Sequence, residues 1–150
     1  MSLDMRELYQ EVILDHNRHP RNKGVIDGPT GIAEGHNPLC GDNVKITLRT
    51  EGGLVSDIAF EGSGCAISTA SASLMTEAVK GMTVAEADGL FKEFQKMVTS
   101  DAAEDDLPEL GSLNALAGVR EHPVRIKCAT LPWHTLHAAL TQKDSRVSTE

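Results

Sequence analysis

The sequence predicts an α+β fold, a small antiparallel β-sheet packed against several α-helices, and three observations carry that expectation. Val44, Ile46 and Leu48 alternate with Lys45, Thr47 and Arg49, the period-two pattern of a half-buried strand over 44–50. Glu51-Gly52-Gly53 reads as a hairpin turn, and Leu54 to Glu61 supplies the partner strand with Ile58 and Phe60 inward. From Ala66 to Lys80 the pattern changes to helical spacing, with Ile67, Ala70, Leu74 and Ala78 on one face and Gly81 as the stop.

The other elements follow from the same signals. A first helix opens at Asp4, which can cap the backbone with Glu7 three positions on, and carries Leu8, Tyr9, Val12 and Ile13 on one face before Pro20 ends it. A short strand is expected around Ile32 to His36. Val84 to Met97 reads as one helix or a pair, the acidic stretch 100–108 as a solvated loop, and Leu110 to Val119 as a short helix. The last helix is expected between Thr130 and Leu140, with Pro132 in its first turn, where a missing N–H costs nothing. Beyond Gln142 the chain is polar and is expected to fray as a tail.

With 150 residues and 40% hydrophobic content, one domain over 1–150 is expected. A formal charge of −8 argues against nucleic acid and anionic membrane surfaces, both of which are held through Lys and Arg. No apolar run approaches the roughly 20 residues of a membrane span. The opening MSLDMRELYQ has neither a basic start nor an apolar signal core, so a cytoplasmic location is expected.

Cys40, Cys65 and Cys128 are too few and too scattered for a disulfide framework, which leaves ligand, nucleophile or packing roles. Cys40 and Asp42 precede the alternating strand in Asn37-Pro38-Leu39-Cys40-Gly41-Asp42-Asn43. If the extended conformation runs back through that segment, residues 40, 42, 44, 46 and 48 share one face. Cys65 follows Gly62-Ser63-Gly64 and directly precedes a helix, where unpaired N–H groups favour a thiolate. Cys128 stands just before the Pro132 helix start, near a second helix N-terminus. Four donors, Cys3Asp, match the tetrahedral demand of zinc, and sulfur ligands also suit iron–sulfur chemistry. The competing reading is three unrelated buried thiols, and no Cys-x2-Cys pair marks a zinc finger.

The histidines point elsewhere. His16 and His19 end the first helix, where a positive or polar group suits the dipole. His36 lies close enough to Cys40 to support it, while His134 and His137 share a helical face as surface or packing residues. Neither His-Glu-x-x-His nor the deaminase pattern is present, so hydrolysis by a zinc-activated water has no support.

Three segments together resemble a family. Asn37-Pro38-Leu39-Cys40-Gly41-Asp42, Gly62-Ser63-Gly64-Cys65-Ala66-Ile67-Ser68 and Ile126-Lys127-Cys128-Ala129-Thr130 look like the cysteine motifs of the IscU/NifU N-terminal family of iron–sulfur cluster assembly proteins, most closely its SufU branch. The resemblance runs from Asp15-His16 and His19-Pro20-Arg21-Asn22 to about Leu140. It implies the same α+β fold and maps Cys40, Asp42, Cys65 and Cys128 onto metal or cluster ligands. Two departures favour the SufU branch: Lys127 stands where typical scaffolds carry histidine, and His122-Pro123-Val124-Arg125 replaces the Leu-Pro-Pro-Val-Lys chaperone motif. Extra length around 98–113 points the same way.

The resemblance implies a zinc-dependent sulfur acceptor for a SufS-type cysteine desulfurase, with Cys40 receiving the persulfide. An alternative is a scaffold binding iron as a labile [2Fe–2S] cluster for apo-protein recipients, and a second is a zinc-stabilised interaction domain. On the first two readings a sulfurtransferase-like acceptor or scaffold is expected in place of a conventional enzyme, and on the third no sulfur chemistry at all.

Overall fold

A computed structural model describes residues 3–38, 41–102, 106–141 and 144–148, with side chains between residues 8 and 141 of those spans. The Gly52-Gly53 turn sets the sheet. Both glycines take positive φ, 59° and 79°, the conformation of a two-residue type I′ hairpin. They join β2 (Asp42–Glu51) to β3 (Leu54–Ser63) through the pair Glu51↔Leu54. β1 (Gly31–Asn37) lies antiparallel on the other side of β2, in register from Gly31↔Leu48 to Asn37↔Asp42. Along β2 the residues Asp42, Val44, Ile46 and Leu48 are all buried, as the alternation requires. Inward Ile58 and Phe60 of β3 complete that side of the core.

The sheet has a fourth strand where a frayed tail was expected. β4 (Asp144–Ser148) pairs parallel to β1, giving the order β3-β2-β1-β4. Its sequence, Asp-Ser-Arg-Val-Ser, has one apolar residue and no alternation, so periodicity cannot signal it. Main-chain groups along the free edge of β1 supply the pairing instead.

Helix α1 (Leu3–Arg18) ends before Pro20 as expected, while the cap expected at Asp4 and Glu7 falls on side chains outside the described residues. α2 (Ala66–Val79) is followed by α3 (Val84–Thr99), a single helix opened by a capping box between Thr83 and Glu86. A 3₁₀ helix over Gly111–Glu121 leads into α4 (Pro123–Thr141). Here the expectation of a helix starting near Pro132 is wrong. Pro123 occupies the first turn, where its missing N–H is harmless, and Pro132 lies inside the helix. Either proline can stand in the first turn of a helix, and the helix opens at the earlier one.

That packing is specific. Gly31, Ala33, Gly35 and Asn37 form the buried face of β1, and α4 lies directly on it. A Cβ at Gly31 would stand 2.2 Å from the Ala139 carbonyl oxygen, and one at Gly35 would stand 2.1 Å from Thr135 Oγ1 and 3.0 Å from Leu131. Residues 131, 135 and 139 share one helical face, so the two glycines let the helix settle against the strand backbone. Followed toward its N-terminus, the same face carries Cys128 to the end of β1. α2 is locked to α4 by Ser71, whose hydroxyl donates to the Ala129 carbonyl at 2.6 Å and accepts from Trp133 Nε1 at 3.2 Å. Trp133 itself is fully buried and stacks on Phe94 with ring centroids 4.6 Å apart. No helix among the described residues is long and apolar enough to cross a membrane.

Candidate metal centre

Three elements meet where β1 ends and β2 begins. Asp42 opens β2 and is completely buried. A buried carboxylate needs partners, and Oδ1 accepts the main-chain N–H of Cys65 at 2.8 Å. Gly64 makes the space: a Cβ there would stand 2.8 Å from the same oxygen. The glycine before Cys65 thus seats the carboxylate beside the thiol, with Asp42 Oδ2 3.9 Å from Cys65 Sγ.

Cys65 is the N-cap of α2, with φ −70° and ψ 169°. Its Sγ accepts the Ser68 N–H at 3.5 Å, one of the helix-start donors that have no partner within the helix. It is exposed, whereas Cys128 is buried. Cys128 is not at a helix N-terminus as expected; it is the sixth residue of α4. Its Sγ accepts a hydrogen bond from Asn37 Nδ2 at 3.7 Å. Asn37 is fully buried, and the sequence marks it only as the first residue of the Cys40 motif. The signal that could have revealed it is the small-residue face Gly31-Ala33-Gly35, which points the next inward residue at a closely packed helix.

One ligand atom from each of Asp42, Cys65 and Cys128 lies within 4.8 Å of the others. Two thiolates on one tetrahedral zinc stand about 3.8 Å apart, given Zn–S bonds of about 2.3 Å, so small side-chain rotations close the set. Two sulfurs and a buried carboxylate within 4.8 Å of one another are mutually repulsive once ionised, and a divalent cation between them removes the conflict. The donor set therefore fits zinc or a sulfur-bridged iron cluster. The fourth expected donor, Cys40, lies outside the described residues, in the connection between Asn37 and Asp42.

The histidines contribute no donor to this cluster. His36 sits on the outward face of β1 and pairs across to Asn43 Oδ1 at 2.7 Å. His137 meets Asp88 at 3.1 Å, and His134 is set edge-on against Phe91. His16 is buried, with Nδ1 2.7 Å from Ser73 Oγ, a hydroxyl that also accepts the Arg21 N–H. The dipole role expected for it is thereby corrected: burial, and then the Arg21 charge, hold its pKa below the usual histidine value.

This has a measurable consequence. A base whose pKa is lowered by folding stays neutral in the native state while the unfolded chain takes up its proton. Stability is then complete above about pH 6.5 and declines as pH falls through that value, by at most about 1.4 kcal/mol per pH unit per histidine. His134, lowered mainly by burial, acts with the same sign. Urea midpoints between pH 8 and pH 5 should fall with acidity, and His16→Gln should flatten part of the slope; an unchanged slope in that variant would remove His16 from the account.

The NifU-like N terminal domain family matches residues 8–148 of the chain. The chain is 42% identical over 137 residues to the zinc-dependent sulfurtransferase SufU of Bacillus subtilis strain 168, covering 91% of this chain and 92% of that protein. It is 41% identical over 136 residues to the iron–sulfur cluster assembly scaffold protein IscU of Streptococcus pyogenes serotype M1, covering 91% and 84%. Among solved structures it is similar to FiSufU from the thermophile Fervidobacterium islandicum AW-1, with a TM-score of 0.80, 34% identity, and coverage of 93% of this chain and 100% of that one.

Proposed function

Because the chain belongs to the NifU-like N terminal domain family, we propose that it serves iron–sulfur cluster assembly as a zinc-dependent sulfur acceptor for a SufS-type cysteine desulfurase. The observation that carries this reading is the convergence of Asp42, Cys65 and Cys128 within 4.8 Å, with Cys40 as the fourth donor. Bound zinc would hold the thiolates deprotonated near neutral pH. The protein's own residues do the rest: Gly64 and the Cys65 N–H orient Asp42, and Ser68 orients the Cys65 sulfur. Likeness to the zinc-dependent sulfurtransferase supports the sulfur-acceptor assignment.

A second reading, a scaffold on which the same ligands hold a labile [2Fe–2S] cluster, draws on the likeness to the IscU scaffold. Metal analysis of protein purified without oxygen, joined to a cysteine desulfurase assay, separates the two. The expected result is about one zinc per chain and a faster desulfurase. A cluster chromophore without desulfurase stimulation would favour the scaffold, and a metal-free, inert protein would sink both.

A further inference from the structure

Each polar donor of the metal centre has a neighbour that holds it, and for Cys128 that neighbour is a side chain with no assigned task. Asp42 is held by the Cys65 N–H and Cys65 by the Ser68 N–H, both main-chain groups at the start of α2. Cys128 sits in the second turn of α4, where main-chain N–H groups are engaged within the helix. One group directed at its sulfur is Nδ2 of Asn37, 3.7 Å away. Both residues are almost wholly removed from water, Asn37 at 0% and Cys128 at 2% exposure. The approach is built into the fold: Gly31 and Gly35 bring α4 down onto β1, and Asn37 is the next residue on that face.

Resting on the metal-site reading above, we infer that Asn37 is a positioning residue for the Cys128 ligand. Its amide N–H fixes the sulfur toward Asp42 and Cys65 and stabilises the negative charge that Cys128 carries as a ligand. A thiolate buried this deeply loses water as a hydrogen-bond donor, so a protein N–H must take over part of that role. The main-chain pairing Asn37↔Asp42 couples the two sides of the site. The residue that orients Cys128 and the residue that offers the carboxylate are cross-strand partners, and the connection bearing Cys40 links them.

The test uses the full chain with Asn37→Leu, which keeps the shape and removes the donor, and Asn37→Ala as a second variant in case the first fails to fold. Zinc affinity is measured by competition with a chromophoric chelator. Cobalt(II) is substituted to read the sulfur-to-cobalt charge-transfer band. Loss of outer hydrogen bonds to metal ligands typically weakens binding by about 10- to 100-fold, and that is the expected loss here. The charge-transfer band should also shift to lower energy, because a sulfur lone pair relieved of its N–H donor is easier to ionise. A purely structural role would not move the band. Weaker binding with an unmoved band, or unaltered affinity in the variant, would overturn the inference. Failure of the wild-type chain to bind zinc or cobalt would instead overturn the metal-site reading on which it rests.

Discussion

Cys65→Ser and Cys128→Ser are each expected to release the bound zinc and to lower the thermal midpoint of the metal-loaded protein steeply. Structural zinc sites contribute apparent binding free energies of about 10 kcal/mol or more near neutral pH, a large part of which acts as folding free energy. The two cysteines lie on different helices, α2 and α4, which otherwise meet through Ser71, Ala129 and Trp133. Removing either sulfur therefore takes away a cross-link as well as a ligand. Asp42→Ala should weaken binding less, because a single hard oxygen adds less to a site dominated by sulfur. Elemental analysis and calorimetry with and without a chelator check both statements. Wild-type protein that melts at the same temperature with and without metal would refute the first.

The site and the fold were legible in the sequence to different depths, and the reasons are physical. The hairpin could be read because Gly52-Gly53 has one comfortable use between alternating strands, and both glycines take the positive φ that use demands. Asp42 falls on the inward face once the strand runs back to it, because a strand's period is fixed at two, and it is buried with Val44, Ile46 and Leu48. Cys65 was placed at a helix start because Gly62, Ser63 and Gly64 break the strand before it, and it is the N-cap of α2. Cys128 was misplaced because proline signals a helix start by what it lacks, and Pro123 and Pro132 lack the same thing. Which one opens the helix depends on where α4 rests on β1, a long-range contact that local pattern does not encode. β4 and Asn37 escaped for a related reason: main-chain pairing at a sheet edge and an amide aimed at a sulfur across 91 residues of sequence separation leave no periodic trace.

With a SufS-type desulfurase and free cysteine, sulfur is expected to accumulate as a persulfide on Cys40. In the transfer step a thiolate attacks the outer sulfur of the enzyme's persulfide, a new S–S bond forms on the acceptor, and the desulfurase cysteine leaves as its thiolate. No outside oxidant is consumed. Attack requires access, and Cys128 has almost none, at 2% exposure beneath Asn37. Cys65 is exposed but is held at the α2 N-cap by the Ser68 N–H, with the Asp42 carboxylate beside its sulfur. Cys40 is the remaining thiol, and in the sequence it stands between Pro38 and Gly41, in the segment that joins β1 to β2. Mass spectrometry of the protein after turnover, with Cys40→Ala as control, decides the matter. The expected spectrum shows one added sulfur, about 32 Da, on the peptide bearing Cys40 and none on those bearing Cys65 or Cys128. Cys40→Ala should remain unlabelled and lose its stimulation of the desulfurase. Sulfur on either of the other cysteines in the wild type, or undiminished stimulation by Cys40→Ala, would reassign the acceptor.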